Sequence, residues 1–329
     1  MAGPRADGQV PGDHRFDGRV AVVTGAGRGI GRAYARLLAA RGASVVVNDH
    51  GGSIEGAGED AAPASKVAAS IVDAGGTAVP DTSDISSPDG AAALVDAARS
   101  RFGRLDILIN NAGIVRWAGF PAADEDNLDA HLAVHVRGAF HTTRSAWGHM
   151  VEQGYGRVVM TTSSGLFGLP DNLSYATAKA AVIGMTRSLA LAGAPHGIRV
   201  NAIAPAALTR MAAGPAEQAA PPSRGAPPST DAAVADRRVA EMSPDLVAPM
   251  AAFLAHESCP VTGEVYAAGG GRFGRVFIGV TEGYVASTPG PTIEDVAAHW
   301  HAINDEAAYW VPADLTSWSA AFLRHLGGA

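Results

Sequence analysis

Along the chain, short runs of β-branched and other apolar residues alternate with longer stretches whose apolar positions recur every three to four residues. The first run, residues 19–24 (RVAVVT), stops at Gly25 and passes into GAGRGIGRAYARLLAARG, which reads as strand, glycine turn and helix. The rhythm repeats with a strand at 43–48 (ASVVVN), a helix within 60–74 and a strand at 77–80. Further strands are predicted at 105–109 (LDILI), 157–161 (RVVMT) and 197–203 (GIRVNAI), with long helices near 122–152 and 172–193. Strands that are apolar almost throughout are covered on both faces. The pattern therefore predicts an α/β fold: a single doubly wound, Rossmann-type parallel sheet over residues 17–271, with helices on both faces and right-handed crossovers.

Three stretches stand outside that rhythm. Residues 1–16, MAGPRADGQVPGDHRF, read as a polar, flexible leader. Residues 212–231 hold five prolines and little periodicity; they read either as a surface loop or as a lid, within a substrate loop placed at 212–242. The extension 272–329 carries Trp300, Trp310 and Trp318 and a helical-looking segment at 292–308. It is too apolar to stay unpacked and is expected to dock on its own core or on a neighbouring subunit.

Composition narrows the function classes. The 329 residues are 47% hydrophobic and 17% charged, which suits a globular protein with a large core. There are 25 Lys and Arg against 32 Asp and Glu, for a net charge of -7, and no basic stripe, so nucleic acid is not an expected partner. The single cysteine, Cys259, excludes an internal disulfide and a cysteine-cluster metal site, and no metal is expected. No signal-peptide core and no apolar run of about 20 residues occurs, so no membrane association is expected and the reading is cytoplasmic.

The chemistry-bearing residues gather at predicted strand ends. Thr24-Gly25-Ala26-Gly27-Arg28-Gly29-Ile30-Gly31 lies where the first strand meets a helix. Glycines there let the backbone approach a pyrophosphate, and the helix start offers unpaired N–H donors, so Gly25, Arg28, Gly29, Ile30 and Gly31 are predicted at the phosphates of a dinucleotide. Asp49 ends the second strand, where a carboxylate binds both ribose hydroxyls of the adenosine and repels a 2′-phosphate, favouring NAD over NADP. Arg28 points the other way, since a guanidinium can pair with a 2′-phosphate. Asp81 and Thr82 are placed near the adenine. Asn110-Asn111-Ala112-Gly113 follows the fourth strand, with Asn110 either bracing the crevice or taking part directly. Tyr175 and Lys179 stand at i and i+4 on one helix face, where a cation beside a phenol favours the phenolate; the only other lysine is Lys66. Thr161-Thr162-Ser163-Ser164-Gly165 presents hydroxyls at the same sheet edge, able to hold a reacting oxygen or simply to form a turn.

With TGAGRGIG at 24–31, NNAG at 110–113, YATAK at 175–179 and NAIAP at 201–205 in that order, the chain resembles the short-chain dehydrogenase/reductase family of the Tyr-x-x-x-Lys type over residues 19 to about 270. The resemblance implies that Tyr175 is the proton donor or acceptor, that Lys179 shifts its pKa and binds the nicotinamide ribose, and that Ser163 orients the substrate oxygen. The family's usual spacing places its serine on Thr162; aligning the strands with one deletion places it on Ser163, with Thr162 and Ser164 as substitutes. Asn110, Ala112, Gly113, Pro205 and Thr209 are implied at the nicotinamide half of the cofactor. Ala206 stands where the wider family has Gly.

The segments 48–58, 131–147 and 252–271 look like the (3R)-hydroxyacyl-CoA dehydrogenase/17β-hydroxysteroid dehydrogenase part of the type 2 multifunctional enzyme. That subgroup places His where the wider family has Asn, so His135 either holds a water in a proton relay or kinks its helix. Because the C-terminal LGGA is no peroxisomal signal, a free-standing enzyme is expected. The reaction implied is NAD-dependent interconversion of a secondary alcohol and a ketone. The substrate is a small molecule, a 3-hydroxyacyl thioester or steroid-like alcohol, with a polyketide or terpenoid ketone as the alternative. A CoA ester requires two or more arginines converging at the pocket mouth. From another class, a catalytically silent NAD-binding regulatory protein also fits the fold. A homodimer or homotetramer is implied.

Overall fold

The computed structural model describes residues 14–211, 240–286 and 290–326. The proline-rich stretch and nearly all of the leader lie outside the described residues. The chain divides into two compact units, Met1–Arg275 and Val276–Ala329.

In the first unit β1 (Val20–Thr24), α1 (Gly29–Ala40), β2 (Ser44–Asn48), α2 (Ala62–Asp73), β3 (Thr77–Asp81), α3 (Pro88–Phe102) and β4 (Ile107–Asn110) alternate as the pattern predicts. They are followed by α4 (Glu125–His131), a π-helical segment (Leu132–Gly138), α5 (Ala139–Gln153), β5 (Gly156–Thr161), α6 (Leu173–Gly193), β6 (Ile198–Pro205), α7 (Ala248–Ala255), β7 (Val265–Gly269) and β8 (Arg272–Val276). The sheet order is β3-β2-β1-β4-β5-β6-β7-β8. Pairings from β3 through β7 are parallel, with Val23 opposite both Val47 and Ile109. Strand order therefore reverses between β1 and β4, and the crevice outside their C-terminal ends is where such sheets bind ligands.

Burial follows the two-residue period of the strands. Val23, Val45, Val47, Ile107 and Ile109 form one core with α1, α2 and α7. The alternate residues Val22, Val46 and Leu108 are equally buried and belong to the face where α3 and α5 pack. Alanine supplies much of this core, including Ala33, Ala35, Ala64, Ala68 and Ala251, and its small side chain lets helices approach the sheet closely.

The helix predicted near 122–152 contains the π-helical turn at Leu132–Gly138, which periodicity does not reveal. β4 begins at Ile107, two residues later than predicted; the Asp106 backbone still pairs with Val20 O and Arg157 N, each at 2.9 Å, while its side chain turns inward as an ionic hub. Its fully buried carboxylate accepts from Val20 N at 2.9 Å, from Arg19 Nη1 at 3.1 Å and from Arg104 Nε and Nη2 at 2.7 and 2.6 Å.

The second unit pairs β9 (Val280–Thr281) with β10 (Tyr309–Trp310) antiparallel, and contains α8 (Ile293–Ala298), α9 (Trp300–Ile303) and α10 (Leu315–Phe322). The 292–308 segment thus forms two short helices broken at His299 rather than one. Thr292 with Asp295, and Asp314 with Ser317, close capping boxes at α8 and α10. None of the unit's described residues is buried. Among the described residues no helix is long and apolar enough to cross a membrane.

Replacing Asp106 with Ala leaves the Val20 amide without its acceptor and Arg104 without its carboxylate, while Arg19 keeps only its bridge to Glu257 at 2.9 Å. Both arginines reach solvent, so the expected loss is about 2 kcal/mol, read as a lower urea midpoint with secondary structure retained.

Candidate active site

The site is assembled at the C-terminal ends of β1, β4, β5 and β6. Thr24, the last residue of β1, accepts through Oγ1 from Asn111 N and Ala112 N, each at 3.0 Å. Asn111 Nδ2 in turn donates to Thr24 O at 2.9 Å and Gly25 O at 3.2 Å. The loop after β4 is thereby pinned to the glycine turn. Gly25 has φ +63°, and a Cβ there would sit 2.8 Å from Ala112 Cα; one on Gly31 would collide with the Gly25 carbonyl and the Asn111 amide. Only glycine allows so close a turn.

Asp49 is buried beside this turn. Its Oδ2 accepts from Gly27 N at 2.9 Å and its Oδ1 from Gly51 N at 2.8 Å. Arg28 donates to the carbonyls of Gly52 and Gly51. The Asp81 carboxylate accepts from Asn48 Nδ2 at 2.7 Å and from Ser83 N and Oγ. The Thr82 carbonyl lies 3.2 Å from His50 Nδ1. Asp81 therefore braces the end of β2, and Ile30 packs against the core.

Asn110 is turned wholly inward: its Nδ2 donates to Thr143 Oγ1 at 3.0 Å and its Oδ1 accepts from Thr142 Oγ1 at 2.6 Å. The crevice after β4 is thus fastened to α5. Gly113 abuts His135, with a Cβ there only 3.1 Å from Nδ1 of the ring. Across the crevice Pro205 ends β6, opposite Ala268, and Thr209 Cγ2 lies 3.4 Å from where Gly29 would carry a Cβ.

Helix α6 begins at an Asn172 cap, whose Oδ1 accepts from Tyr175 N at 3.2 Å. Tyr175 thus sits in the first turn, near enough for the Ser163 hydroxyl to act on its phenol, while Ser163 Oγ accepts from Gly165 N at 3.1 Å. One turn later Lys179 is buried and its Nζ donates to Thr161 O at 2.9 Å. Nζ lies 5.7 Å from the Tyr175 ring centre. Of the other hydroxyls, Thr162 Oγ1 donates to Lys179 O at 2.7 Å, away from the crevice, and Ser164 is exposed.

Electrostatically the site favours neutral forms. Burial raises the Tyr175 pKa, while the Ser163 hydrogen bond lowers it. Burial brings Lys179 down to about 7. The sequence predicts a cation beside a phenol; the structure sets that cation in a dry pocket, where desolvation disfavours its charge. Burial also pushes His135 well below its ordinary value, assisted by the Lys179 charge, and lowers His131.

The two histidine rings stack at 5.9 Å, and both meet the Tyr175 ring edge-on, His135 at 5.4 Å and His131 at 6.2 Å. His131 is fixed by Nδ1 donating to Asn127 O at 2.8 Å and Nε2 accepting from Arg116 N at 3.2 Å. His135 Nε2 lies 2.9 Å from Ile114 O and 3.2 Å from Ile114 N. Its Nδ1 is buried without a partner, as is Thr161 Oγ1. Both residues line a cavity of about 10 Å³ together with Asn110 and Lys179. That is about the space one water requires, with enough polar partners to hold it.

Thr24 and Asn111 fall inside the motifs, but their tying role does not show there, and His131 and the Thr142-Thr143 pair escape a motif reading. Of the latter, His131 leaves a signal, standing four residues before His135 and so on the same helix face.

A closed glycine turn at a sheet's switch point, a carboxylate ending β2 and a Tyr-x-x-x-Lys helix across the crevice fit a nicotinamide dinucleotide. Together they define a nucleotide-dependent oxidoreductase. Residues 19–219 match the model of the short chain dehydrogenase family. A protein of Mycobacterium tuberculosis described as a short-chain type dehydrogenase/reductase is 42% identical over 87% of this chain and 94% of its own length. The structure of full-length peroxisomal multifunctional enzyme type 2 from Drosophila melanogaster superposes with a TM-score of 0.75 at 31% identity, covering 95% of this chain but 50% of that one. A 7α-hydroxysteroid dehydrogenase complexed with NADH and 7-oxo glycochenodeoxycholic acid superposes with a TM-score of 0.65 at 30% identity, over 79% of this chain and 96% of that one.

The chain belongs to the short chain dehydrogenase family. It is an alcohol oxidoreductase that uses a nicotinamide dinucleotide.

The depressed Lys179 pKa carries a stability signature. Between pH about 7 and 10.5 the unfolded chain binds a proton at Lys179 that the folded protein does not, so stability of the cofactor-free protein rises with pH across that window. Thermal midpoints measured from pH 7 to 9 are expected to climb in the wild type, with a smaller rise in Lys179→Met.

Proposed function

We propose that this protein is an NAD-dependent dehydrogenase/reductase in which Tyr175 exchanges the proton while a secondary alcohol and a ketone are interconverted. The observation that carries this is the grouping of Ser163, Tyr175 and buried Lys179 across the crevice from the glycine turn. Gly25, Arg28, Gly29, Ile30 and Gly31 would hold the phosphates, and Asp49 the adenosine ribose. Asp81 and Thr82 border the adenine, while Asn110, Ala112, Gly113, Pro205 and Thr209 shape the nicotinamide side. Asp49 supports the preference for NAD, since a carboxylate opposes a 2′-phosphate. When bound, the nicotinamide supplies the hydride chemistry.

In oxidation Tyr175, as phenolate, removes the substrate hydroxyl proton while Ser163 holds that oxygen. In reduction the neutral phenol returns the proton. Lys179 favours the phenolate whenever it is charged, and a cation gains in strength where water is scarce. A water held between His135 Nδ1, Thr161 Oγ1 and Lys179 would carry the proton onward. The orphaned Nδ1 and hydroxyl on one small cavity support that role over a kink alone.

Phe120 on its loop, Phe167 at the end of a 3-10 turn and Leu173 at the start of α6 are 80%, 73% and 45% exposed, and such side chains support an apolar substrate. A 3-hydroxyacyl thioester or steroid-like alcohol suits them, and one similar structure is a 7α-hydroxysteroid dehydrogenase. We also infer a homodimer or homotetramer, because the described part of the C-terminal unit buries none of its own residues. Sedimentation equilibrium is expected to give an oligomer, with Trp300→Glu shifting it toward monomer.

In a panel of ketones and 3-ketoacyl thioesters, Tyr175→Phe is expected to lower turnover about 10²- to 10⁴-fold while NADH affinity stays within about twofold of wild type. Wild-type alcohol oxidation should rise with pH and ketone reduction fall, as phenolate replaces phenol. Unchanged turnover in Tyr175→Phe would remove Tyr175 from the mechanism, whereas NADH binding without turnover would favour a silent binding protein.

A further inference from the structure

Two guanidiniums meet on the loop after β2 without a carboxylate between them. Arg28 Nη1 donates to Gly52 O at 3.2 Å and Nη2 to Gly51 O at 3.4 Å. Arg210, which arrives from the loop after β6, donates through Nη2 to the same Gly52 carbonyl at 3.3 Å. Among the described residues neither arginine has a carboxylate within 4 Å. Asp49 faces the pair, but its two oxygens already accept from the Gly27 and Gly51 amides. Burial lowers the Arg210 pKa first and the Arg28 charge lowers it further; Asp49 opposes the shift.

Like charges gathered at one rim repel, and neutral carbonyls offset that repulsion poorly. The arrangement suits an anion that would replace the carbonyl contacts with stronger, charge-assisted ones. Its position identifies the anion's source. Thr209, the residue before Arg210, leans over the glycine turn at Gly29, where a dinucleotide's phosphates meet the start of α1. On the other side the pair borders Asp49 and the adenosine ribose.

We propose that Arg210 acts with Arg28 as a clamp on a phosphate of the cofactor's adenosine half, bridging the loops after β6 and β2 over the bound nucleotide. The proposal rests on the dinucleotide reading above. The shared chemistry is a phosphate group, which is either the pyrophosphate common to both dinucleotides or the 2′-phosphate of NADP.

Calorimetric titration of wild type and Arg210→Gln with NADH, NADPH, ADP and adenosine 2′,5′-bisphosphate, repeated over a range of salt, tests the clamp. Arg210→Gln is expected to weaken binding about tenfold or more and to flatten its salt dependence, with Arg210→Lys recovering part of both. Loss on ADP and NADH would assign the pyrophosphate; loss confined to NADPH and the bisphosphate would assign the 2′-phosphate. Unchanged affinity for all four, or a loss with an unchanged salt slope, would overturn the clamp. Failure of wild type to bind either dinucleotide would instead defeat the cofactor reading itself, so the two failures are distinguishable.

Discussion

The hydroxyl of Thr24 sits where the sheet's strand order reverses, and the crevice depends on it. By accepting from two successive amides after β4 and donating to Ile109 O, it ties the end of β1 to the end of β4. Without that tie two successive N–H groups of the NNAG loop, those of Asn111 and Ala112, would lose their acceptor, and an unmet buried group costs about 1–3 kcal/mol. Valine has nearly the same shape but no acceptor, so the requirement is for an oxygen rather than for volume. The glycines then follow from the tie: with the two loops drawn this close, Gly25 and Gly31 leave no room for a Cβ.

The other half of the site is governed by desolvation. Lys179 is enclosed by Thr161 O, Tyr175 and the cavity with His135, and no carboxylate pairs with it among the described residues. An ion pair there would hold the lysine permanently charged. A neutral surround instead leaves it near the point of titration, so a modest change in local charge can switch it. The same dryness keeps His131 and His135 uncharged, and two neutral rings pack against the phenol without opposing the cation. The burial that raises the cost of the Tyr175 phenolate also strengthens any charge brought near it.

Much of this was legible in the sequence because strand ends announce themselves. The runs RVAVVT, ASVVVN and RVVMT each lie within a residue of a strand start, and the motifs fall at the sheet edge that their order implies. What escaped depends on partners distant in sequence. Asn110 reads as scaffold or participant until Thr142 and Thr143, on the far side of a π-helical turn, are seen to occupy its amide. Asp106 sits in a predicted strand, and the pattern gives no sign that two arginines and an amide converge on its side chain. Among Thr162, Ser163 and Ser164 the distinction is one of direction, and spacing does not encode which way a hydroxyl faces after a strand ends. The i,i+4 geometry of Tyr175 and Lys179 was legible, but the sign of the lysine's shift was not, since burial is a property of the whole surround.

Asp49 serves the fold directly and, in the function proposed above, the choice of cofactor as well. Both of its oxygens hold backbone amides, one in the glycine turn and one in the following loop, so its position is fixed before any ribose arrives. Each carboxylate oxygen has a second lone pair to offer, and a ribose diol can still be received. The negative charge that would repel a 2′-phosphate faces two guanidiniums, however, and the local sum is one charge positive. On the proposed dinucleotide reading, cofactor preference at this edge would follow a balance among Asp49, Arg28 and Arg210 rather than the carboxylate alone. Removing Asp49 would alter that balance and loosen the turn together, so a change in preference at this position cannot be assigned to charge until the turn's integrity is measured beside it.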